Sequence, residues 1–507
     1  IAGELTSDTG FTVRRKGLTI GYLHQEPRLE PGRTVWQETL AASVELARVE
    51  AELARVEDQL ADPDVYGDEK PLTRVLERQA RLLDEYGRLG GSNYEGRVRS
   101  TLRSLGFTDA DVNLPVEALS GGQKKLVGLA KLLVTWPDLL LLDEPDNHLD
   151  LEGKAFLEQF IRGYRGTVII VSHDRYLLDQ VVDEIVELED GELTRYQGTY
   201  SEYTIEKQLQ LLRQQRLYEA QQKEIARIEA AIARFEEWAS RVANERHARQ
   251  ARSRKKMLDR MERIQKPVLE RRRMGLELNG WRGSNKVLEI VNLDKAFPAD
   301  PKGFDKPLES QPVLAGLNLL IWRGERVGLV GPNGSGKSLL FRLILGQETP
   351  SGGEIKIGPS VKSGYYAQEH ETLDYGRTLV DTVRQAARFS EEGAVRFLGR
   401  FLFTYEQARD TVGSLSGGER SRLQMALLML SDANLLLLDE PTNNLDIPSA
   451  EVLEEALADF EGTVVIISHD RYFLDRVVDR VVELDHGTLT EYIGGYSDYW
   501  AARAKSD

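Results

Sequence analysis

Three segments of the sequence recur at one fixed distance, and this repeat constrains the fold more than any other feature. Leu-Ser-Gly-Gly at 119–122 returns at 415–418, Leu-Leu-Leu-Leu-Asp-Glu-Pro at 139–145 returns at 435–441, and Ser-His-Asp-Arg-Tyr at 172–176 returns at 468–472. Every pair is 296 residues apart, so the stretch from about 119 to 200 repeats without a gap. Self-similarity in one register indicates a duplicated domain.

The second repeat also contains a glycine-rich segment, Gly-Pro-Asn-Gly-Ser-Gly-Lys-Ser at 331–338. It follows an apolar, strand-like segment and precedes a helical one, which is the context of a phosphate-binding loop. Its glycines let backbone N–H groups surround a phosphate, and the helix N-terminus adds a positive dipole end. Lys337 is expected to reach the β- and γ-phosphates, and the Ser338 hydroxyl to bind Mg²⁺. The predicted nucleotide-binding residues are Gly331, Pro332, Asn333, Gly334, Ser335, Gly336, Lys337, Ser338 and Leu339.

Composition excludes several classes of protein. The 507 residues are 41% hydrophobic, which is enough for two or three domains. No apolar run approaches the roughly 18–20 residues that cross a bilayer. The absence of cysteine excludes disulfides, cysteine-ligated zinc and iron–sulfur clusters, so we expect no metal beyond Mg²⁺ and a reducing, cytoplasmic compartment. A net charge of −16 argues against nonspecific binding of nucleic acid by the whole surface.

Taken together, the motifs resemble those of ABC-type ATPases with two cassettes, and specifically the ABC-F subfamily of soluble, ribosome-associated proteins. The resemblance implies an α/β fold class with two P-loop cassettes. Each cassette has a mostly parallel sheet and a helical subdomain, and a long α-helical hairpin joins the two. It also implies a first cassette at 1–200, a linker at 201–283, a second cassette at 284–500 and a tail at 501–507.

The resemblance further implies an ATPase and assigns its residues. In the second cassette Ser338, Gln368 and Asp439 would hold Mg²⁺, Glu440 would orient or deprotonate the attacking water, and His469 would contact the γ-phosphate. The signature of the first cassette would close this site with Ser120, Gly121, Gly122 and Gln123. The reciprocal site would use Gln25, Asp143, Glu144 and His173 with Ser416, Gly417, Gly418 and Glu419. Phe297 is expected against the adenine, with Phe304 as its competitor and a core or loop aromatic as the alternative.

The first repeat differs from the second near residue 1. Tyr-Leu-His-Gln at 22–25 matches Tyr-Tyr-Ala-Gln at 365–368, the glutamine loop of the family. Counting back equally from both glutamines places the phosphate loop of the first cassette just before residue 1. We therefore expect this sequence to lack the N-terminal part of that cassette; the alternative is a degenerate cassette that never had the loop.

An insertion of about 47 residues lengthens the first cassette between Gln25 and Leu119. Apolar residues in its first half follow a 3-4-3-4 spacing, at Leu46, Val49, Leu53, Val56 and Leu60. Leu72, Leu76, Gln79, Leu83 and Tyr86 continue a heptad spacing after a break that contains two prolines. This predicts an antiparallel helical arm within about 35–90, like the arm of ABC-F proteins. The alternative is two helices packed on the cassette body.

The predicted linker carries a local excess of positive charge. Residues 241–273 contain 13 lysines and arginines against four acidic residues. Two apolar seams, the second at Met257, Met261, Ile264 and Val268, predict a helical hairpin with its turn near the densest basic stretch. Such a surface suits RNA phosphates, whereas the alternative is a solvated helix face. The candidate RNA contacts are Arg246, Arg249, Arg252, Arg254, Lys255, Lys256 and Arg260.

Two positions depart from the motifs of the family. Asp146 stands where Thr is usual, and Asn444 stands where His is usual. Our first hypothesis is a monomeric ATPase whose paired cassettes close on ATP, with the ribosome, including its rRNA and tRNA, as partner. The alternatives are the ATPase component of a membrane transporter and a DNA-handling ABC ATPase.

Overall fold

The computed structural model describes residues 1–25, 27–61, 69–147, 149–189, 191–242, 245–264, 274–281, 283–297, 312–368 and 373–505. The chain divides into two units, one formed by 1–177 with 274–507 and the other by 178–273. The motifs of both cassettes up to residue 177 therefore share the first unit. None of the described helices is both long enough and apolar enough to cross a membrane.

The first cassette is built on a small parallel sheet. Its elements are β1 (Ile20–Leu23), α1 (Val35–Leu40), α2 (Val44–Leu60), α3 (Glu69–Arg88), α4 (Tyr94–Ser104), α5 (Gly121–Thr135), β2 (Leu139–Asp143), α6 (Leu151–Gly163), β3 (Thr167–Val171) and α7 (Arg175–Val181). The strands pair in parallel in the order β1-β2-β3. Residues 1–19, all of them described, contain no helix or strand.

The second unit is a strand hairpin followed by two helices. Its elements are β4 (Glu184–Glu189), β5 (Glu192–Gln197), α8 (Tyr200–Val242) and α9 (Glu245–Asp259). The side chain of Gln221 in α8 donates to the carbonyl oxygen of Glu262 at 2.7 Å and accepts from the Ile264 N–H at 2.8 Å. The segment after α9 therefore runs back beside α8, as a helical hairpin requires.

The second helix of this hairpin is shorter than the sequence predicts. It ends at Asp259, so Met261 and Ile264 do not continue a helical seam, and Val268 lies outside the described residues. Gln221 explains the difference, because it satisfies backbone groups that a helix would have satisfied internally. The basic stretch from Arg246 onward lies within α9 and not in the turn between the helices.

The second cassette contains a larger sheet. Its elements are β6 (Lys286–Ala296), β7 (Pro312–Trp322), β8 (Arg326–Val330), α10 (Lys337–Ile344), β9 (Gly352–Ile357), β10 (Ser363–Tyr366), α11 (Leu379–Ala386), α12 (Glu391–Arg400), α13 (Gly417–Leu430), β11 (Leu435–Asp439), α14 (Ile447–Asp459), β12 (Thr463–Ile467), α15 (Arg471–Val477), β13 (Arg480–Asp485), β14 (Thr488–Ile493) and α16 (Tyr496–Arg503). Six strands pair in the order β10-β11-β12-β8-β13-β14, and only β14 is antiparallel to its neighbour. Strands β7, β6 and β9 form a separate antiparallel sheet.

The central strands of the larger sheet are buried on both faces. Leu436 and Leu438 of β11 belong to one hydrophobic cluster, and Leu435 and Leu437 belong to another. Alternate side chains leave opposite faces of a strand, so the sheet is covered on both sides, as near-continuous apolar runs of parallel strands predict. The predicted α/β class with two cassettes is confirmed.

Helices α2 and α3 lie in the stretch predicted to form the arm, and they pack on each other. Val49 and Val56 of α2 meet Leu82 of α3 in a small hydrophobic cluster. The predicted seam of α3 is wrong at two positions, because Leu76 and Leu83 are exposed whereas Val75 and Leu82 face α2. Leu72 and Gln79 can share a seam either with Val75 and Leu82 or with Leu76 and Leu83. Both sets are apolar, so the sequence pattern alone does not select between them.

Candidate active site

The glycine-rich segment at 331–338 forms a loop between β8 and α10. A Cβ on Gly331 would lie 2.2 Å from the carbonyl oxygen of Leu484, and its φ is 147°, so this position requires glycine. Gly336, with φ 101°, precedes the first residue of α10. The loop and the helix N-terminus together present backbone N–H groups, which is the arrangement that binds phosphate.

Lys337 lies inside this loop. Its Nζ donates to the carbonyl oxygens of Gly331 and Pro332, both at 2.8 Å, and burial lowers its pKa. The Ser335 hydroxyl is also buried, and no described residue forms a hydrogen bond with it. A buried ammonium and a buried hydroxyl in a loop of backbone donors fit the oxygens of a nucleotide phosphate.

Asp439 and Glu440 lie at the carboxyl end of β11. Asp439 is the last residue of β11, and Gln368 follows β10, the strand paired with it. Glu440 has φ 50°, a left-handed conformation that is rare for this residue type, and its N–H donates to the Ile467 carbonyl at 2.8 Å. Glu144 repeats this geometry in the first cassette with φ 45°. Strain at both positions is typical of functional residues.

His469 contacts the Glu440 carboxylate twice. The backbone N–H of His469 donates to Glu440 Oε2 at 3.3 Å, and the ring Nε2 of His469 lies 3.5 Å from Glu440 Oε1. Burial, together with the negative charge of Asp439, raises the pKa of Glu440 from 4.5 to about 8, although the positive charge of Lys337 opposes this. Burial, and then the positive charges of Lys337 and Lys154, lowers the pKa of His469 well below 6.5. Both shifts favour the neutral form of the group concerned, so burial disfavours an ion pair between Glu440 and His469.

The signature of the first cassette opens onto the same cavity. The Ser120 hydroxyl caps α5 by accepting from the Gln123 N–H at 3.3 Å, and Gln123 Oε1 accepts from the Ser120 N–H at 3.0 Å. A cavity of about 810 Å³ is lined by residues of both cassettes: Ser120, Gly121 and Gly122 with Asn333, Gly334, Gly336, Lys337, Ser338, Leu339, Gln368, Asp439, Glu440 and His469. The Asn333 N–H also lies 3.3 Å from Asp150 Oδ2 of the first cassette. The cavity is large enough for a nucleotide.

The oxygen donors in this cavity fit Mg²⁺. Ser338, Gln368 and Asp439 all line it, and each offers a hydroxyl, amide or carboxylate oxygen. A hard cation prefers such ligands and usually takes the remainder from phosphate and water. The Asp439 side chain is 1% exposed, so a positive charge beside it would offset the cost of burying that carboxylate.

The reciprocal residues of the first cassette also meet, in a more open setting. Gln25 Nε2 donates to Glu144 Oε2 at 2.6 Å, and His173 Nε2 lies 3.6 Å from Glu144 Oε1. The Tyr22 hydroxyl donates to Asp143 at 3.2 Å. The side chain of His173 is 50% exposed, against 11% for that of His469. The two glutamate–histidine pairs are therefore unequal in burial.

The second signature and the two unusual positions lie beside these groups. Ser416 caps α13 through a reciprocal bond with Glu419, and Gly417 lines the common cavity. Asn444 lies beneath this signature, because a Cβ on Gly417 or on Gly418 would come within 3.4 Å and 2.9 Å of it. Asp146 is buried and accepts from the Ser172 hydroxyl at 2.7 Å.

Phe297, expected against the adenine, is not among the described residues that line the cavity. It is 46% exposed, and Lys295 Nζ lies 4.9 Å from the centre of its ring. Its competitor Phe304 lies outside the described residues. A role for Phe297 in binding adenine stays a prediction.

Sequence reasoning missed a group of ion pairs between the cassettes. Arg175 of the first cassette forms an ion pair with Glu454 of the second. Arg471 Nη1 of the second cassette donates to Glu158 of the first at 2.6 Å. The arginine of each Ser-His-Asp-Arg motif therefore reaches the opposite cassette. The duplicated motif was a usable signal for the arginines. Lys154, which also crosses the interface, has no counterpart in the second repeat and so gave no such signal.

The candidate RNA contacts lie on α9 or just after it. Arg249, Arg252 and Lys256 recur every three or four residues along α9, with Arg260 one turn further on. These four residues are exposed, as are Arg246, Arg254 and Lys255, whereas Ala251 is 4% exposed. The guanidinium of Arg254 lies 5.3 Å from the ring centre of Phe235 in α8. The structure thus places six of these seven cations on one helix and Arg260 just after it.

A search against family models matches the ABC transporter family at residues 3–147 and 314–443. An extension of the ABC transporter family matches residues 186–277, a range that includes α8 and α9. The two cassette matches contain the signature of the first cassette and the phosphate loop of the second. The sequence motifs and the family models therefore agree on two cassettes.

Curated relatives align over nearly the whole chain. The putative ATP-binding protein YdiF of Bacillus subtilis is 40% identical over 98% of this chain and 75% of its own length. The energy-dependent translational throttle protein EttA of Haemophilus influenzae is 36% identical over 100% of this chain and 88% of its own. ABC transporter F family member 5 of Arabidopsis thaliana is 35% identical over 98% and 70%.

A solved structure shares the fold. The archaeal ribosome recycling factor aABCE1, in its complex with the ribosomal stalk protein aP1, superposes with a TM-score of 0.53 at 21% identity, covering 82% of this chain and 72% of its own. At this identity the likeness shows the fold alone. The sequence relatives carry the family assignment: the chain belongs to the ABC-F family of twin-cassette ABC proteins and is an ATPase.

Proposed function

We propose that this ATPase binds the ribosome in the cytoplasm and adjusts translation through closure of its two cassettes on ATP. The observation that carries the proposal is a cavity lined by Lys337 and Glu440 of one cassette and Ser120 of the other. A nucleotide in such a cavity touches both cassettes, so its binding and hydrolysis bias their separation.

We assign the following roles to the site residues as part of this proposal. Residues 331–339 bind the phosphates through backbone N–H groups and the Lys337 ammonium, and Ser120 to Gln123 close the site from the opposite side. Ser338, Gln368 and Asp439 would hold Mg²⁺, which would neutralise charge on the phosphates. Glu440, once deprotonated, orients or activates water, and His469 holds Glu440 in place and faces the γ-phosphate.

Two observations support the ribosome as the partner: the exposed cations of α9 and the names of the sequence relatives. The cations of α9 are exposed and gathered on one short helix, whereas the chain as a whole has a net charge of −16. A basic helix of this kind binds the backbone of A-form RNA without reading its sequence. The names of relatives such as EttA describe throttles of translation. RNA of the ribosome, rRNA or tRNA, is therefore the proposed ligand of α9, with Arg246, Arg249, Arg252, Arg254, Lys255, Lys256 and Arg260 as contacts.

Ribosome pelleting tests this proposal. The full chain with Glu144→Gln and Glu440→Gln, which blocks hydrolysis, is expected to co-sediment with ribosomes in ATP and less in ADP. Adding Arg252→Glu and Lys256→Glu should abolish sedimentation, whereas Arg213→Glu with Arg216→Glu, exposed on α8, should not. Equal sedimentation of all variants, or none in ATP, would contradict the proposal. Release by duplex DNA but not by ribosomal RNA would favour a DNA-handling ATPase.

A further inference from the structure

The two repeats differ in charge beside the interface between the cassettes. Positions 146 and 154 carry Asp and Lys, whereas the equivalent positions 442 and 450 carry Thr and Ala. The surrounding Ser-His-Asp-Arg motifs are the same in both repeats. This pair of charged residues is thus present in the first repeat and absent from the equivalent positions of the second.

Lys154 crosses from the first cassette to the catalytic histidine of the second. Its side chain is 10% exposed, and Nζ donates to Asp174 Oδ2 at 2.8 Å and to the His469 carbonyl oxygen at 2.9 Å. Burial alone would lower the pKa of Lys154, but Asp174 and Asp146 raise it above its ordinary value, so the side chain stays protonated. A charged donor in a buried setting holds its acceptor strongly.

The first cassette in turn fixes the position of Lys154. The Asp174 N–H donates to the Ser172 hydroxyl at 2.9 Å, and that hydroxyl donates to Asp146 at 2.7 Å. Asp174 Oδ1 also accepts from the Leu177 N–H at 3.0 Å. The lysine is therefore anchored in a bonded network of its own cassette while its ammonium reaches the other.

This contact completes the restraint of His469. Its N–H and its ring already face the two oxygens of Glu440, and Lys154 holds its carbonyl group from the opposite cassette. Ala450 has no amine, so His173 cannot receive the equivalent bond. Among the described residues, this bond from a lysine of the opposite cassette is therefore made to His469 and not to His173.

We propose that Lys154 is a positioning residue through which the first cassette fixes His469, and with it Glu440, when the cassettes are together. The inference rests on the proposed roles of Glu440 and His469. It makes hydrolysis at the site of Lys337 depend on contact between the cassettes, and it makes the two composite sites functionally unequal. Lys154 itself does not touch the reacting atoms.

A purely structural role predicts something different. Lys154 also neutralises the cluster formed by Asp146, Asp174 and Asp470. If neutralisation were its whole function, removing Asp146 together with Lys154 would relieve the loss. The variant Asp146→Thr with Lys154→Ala does this with the residues that the second repeat already uses at 442 and 450.

The test compares Lys154→Ala, Lys154→Arg, this double variant and the control Lys131→Ala in the full chain. Lys131 is also an ion-paired lysine of the first cassette, but it pairs with Glu38 away from the cavity. The readouts are kcat and KM for ATP, the melting temperature, and hydrogen exchange of the nucleotide-free peptide 464–470. Glu440→Gln serves as the inactive reference.

Lys154→Ala is expected to lower kcat about tenfold or more with little change in KM, because misplacing a catalytic group by about 1 Å has effects of this order. It should also speed exchange in peptide 464–470. Lys154→Arg should recover part of kcat, the double variant should recover the melting temperature but not kcat, and Lys131→Ala should keep wild-type kcat. Recovery of kcat in the double variant, or wild-type kcat and exchange in Lys154→Ala, would overturn the proposal. Wild-type turnover in Glu440→Gln would instead overturn the assignment of the site and this inference with it.

Discussion

Arg471 of the second cassette donates to Glu158 of the first at 2.6 Å, and the equivalent pair Arg175–Glu454 forms in the opposite direction. Each guanidinium also covers a tyrosine of the other cassette, at 4.0 Å from the ring centre for Arg175 on Tyr472. Both arginines are 3% exposed. The interface is therefore reciprocal in these pairs, and it depends on charges that have little access to water.

Removing one member of such a pair should destabilise the contact between the cassettes. Arg471→Met leaves Glu158 unpaired in a mostly buried setting, and we expect a loss of about 3–5 kcal/mol in the free energy of unfolding. Urea unfolding of the full chain measures it. The double variant Arg471→Met with Glu158→Leu should recover most of the loss; an equal loss in both variants would show that the carboxylate is not the cause.

The raised pKa of Glu440 predicts how stability depends on pH. Its pKa is about 8 in the folded protein against an ordinary 4.5, because burial and then Asp439 disfavour its charge. The folded state thus binds the proton more tightly, and this contribution to stability is full below about pH 4.5 and lost as the pH rises through 8. In urea unfolding, the free energy of unfolding of the wild type should fall relative to that of Glu440→Gln between about pH 5 and about pH 9. Parallel curves for the two proteins would contradict this.

Alanine should be tolerated less well at Gly331 than at Gly334 of the phosphate loop. Gly331→Ala would bring Cβ within 2.2 Å of the Leu484 carbonyl, whereas Gly334→Ala meets nothing within 4 Å and carries only the strain of φ 82°. We expect a loss of about 1–2 kcal/mol for Gly334→Ala and a larger one for Gly331→Ala, together with weaker nucleotide binding. Melting temperatures and titration with a fluorescent ATP analogue measure both effects. Equal losses would show that the loop moves away from β13 freely.

The arm offers a test of side-chain register. Leu82 is 6% exposed and packs on α2, whereas its neighbour Leu83 is 52% exposed. Leu82→Ala should destabilise the arm by about 2–3 kcal/mol, and Leu83→Ala by less than about 0.5 kcal/mol. Hydrogen exchange of the peptides from α2 and α3 reports this local stability. The opposite order would restore the register that the heptad spacing suggested.

The local motifs could be predicted from the sequence, whereas the packing of side chains between elements could not. The loop before Lys337, the strand that ends at Asp439 and the helix capped by Ser120 are local structures whose residues are adjacent in sequence, and the structure forms all of them. The seam of α3 depends on which of two neighbouring leucines faces α2, and the end of α9 depends on Gln221, 38 residues upstream of Asp259. Those choices are made by tertiary contacts.

The contact between Lys154 and His469 in the candidate site likewise could not be predicted from the sequence. Asp146 was visible in the sequence as a departure from the family, but its consequence required knowing that Ser172, Asp174 and Lys154 connect it to the interface. The bond from Lys154 to His469 joins residues 315 positions apart. Such a contact is fixed by how two cassettes pack, which no spacing in the chain encodes.

The central claim is that the site of Lys337 is completed by the signature of the first cassette, and ATP turnover by Ser120→Arg tests it most directly. Ser416→Arg is the matched control, because Ser416 caps α13 as Ser120 caps α5 and the two variants lose equivalent hydrogen bonds. We expect Ser120→Arg to lower kcat about 100-fold while nucleotide binding to the second cassette stays within about threefold, and Ser416→Arg to lower kcat less. Turnover by Ser120→Arg equal to that of the wild type, with Ser120→Arg folded, would contradict the composite site.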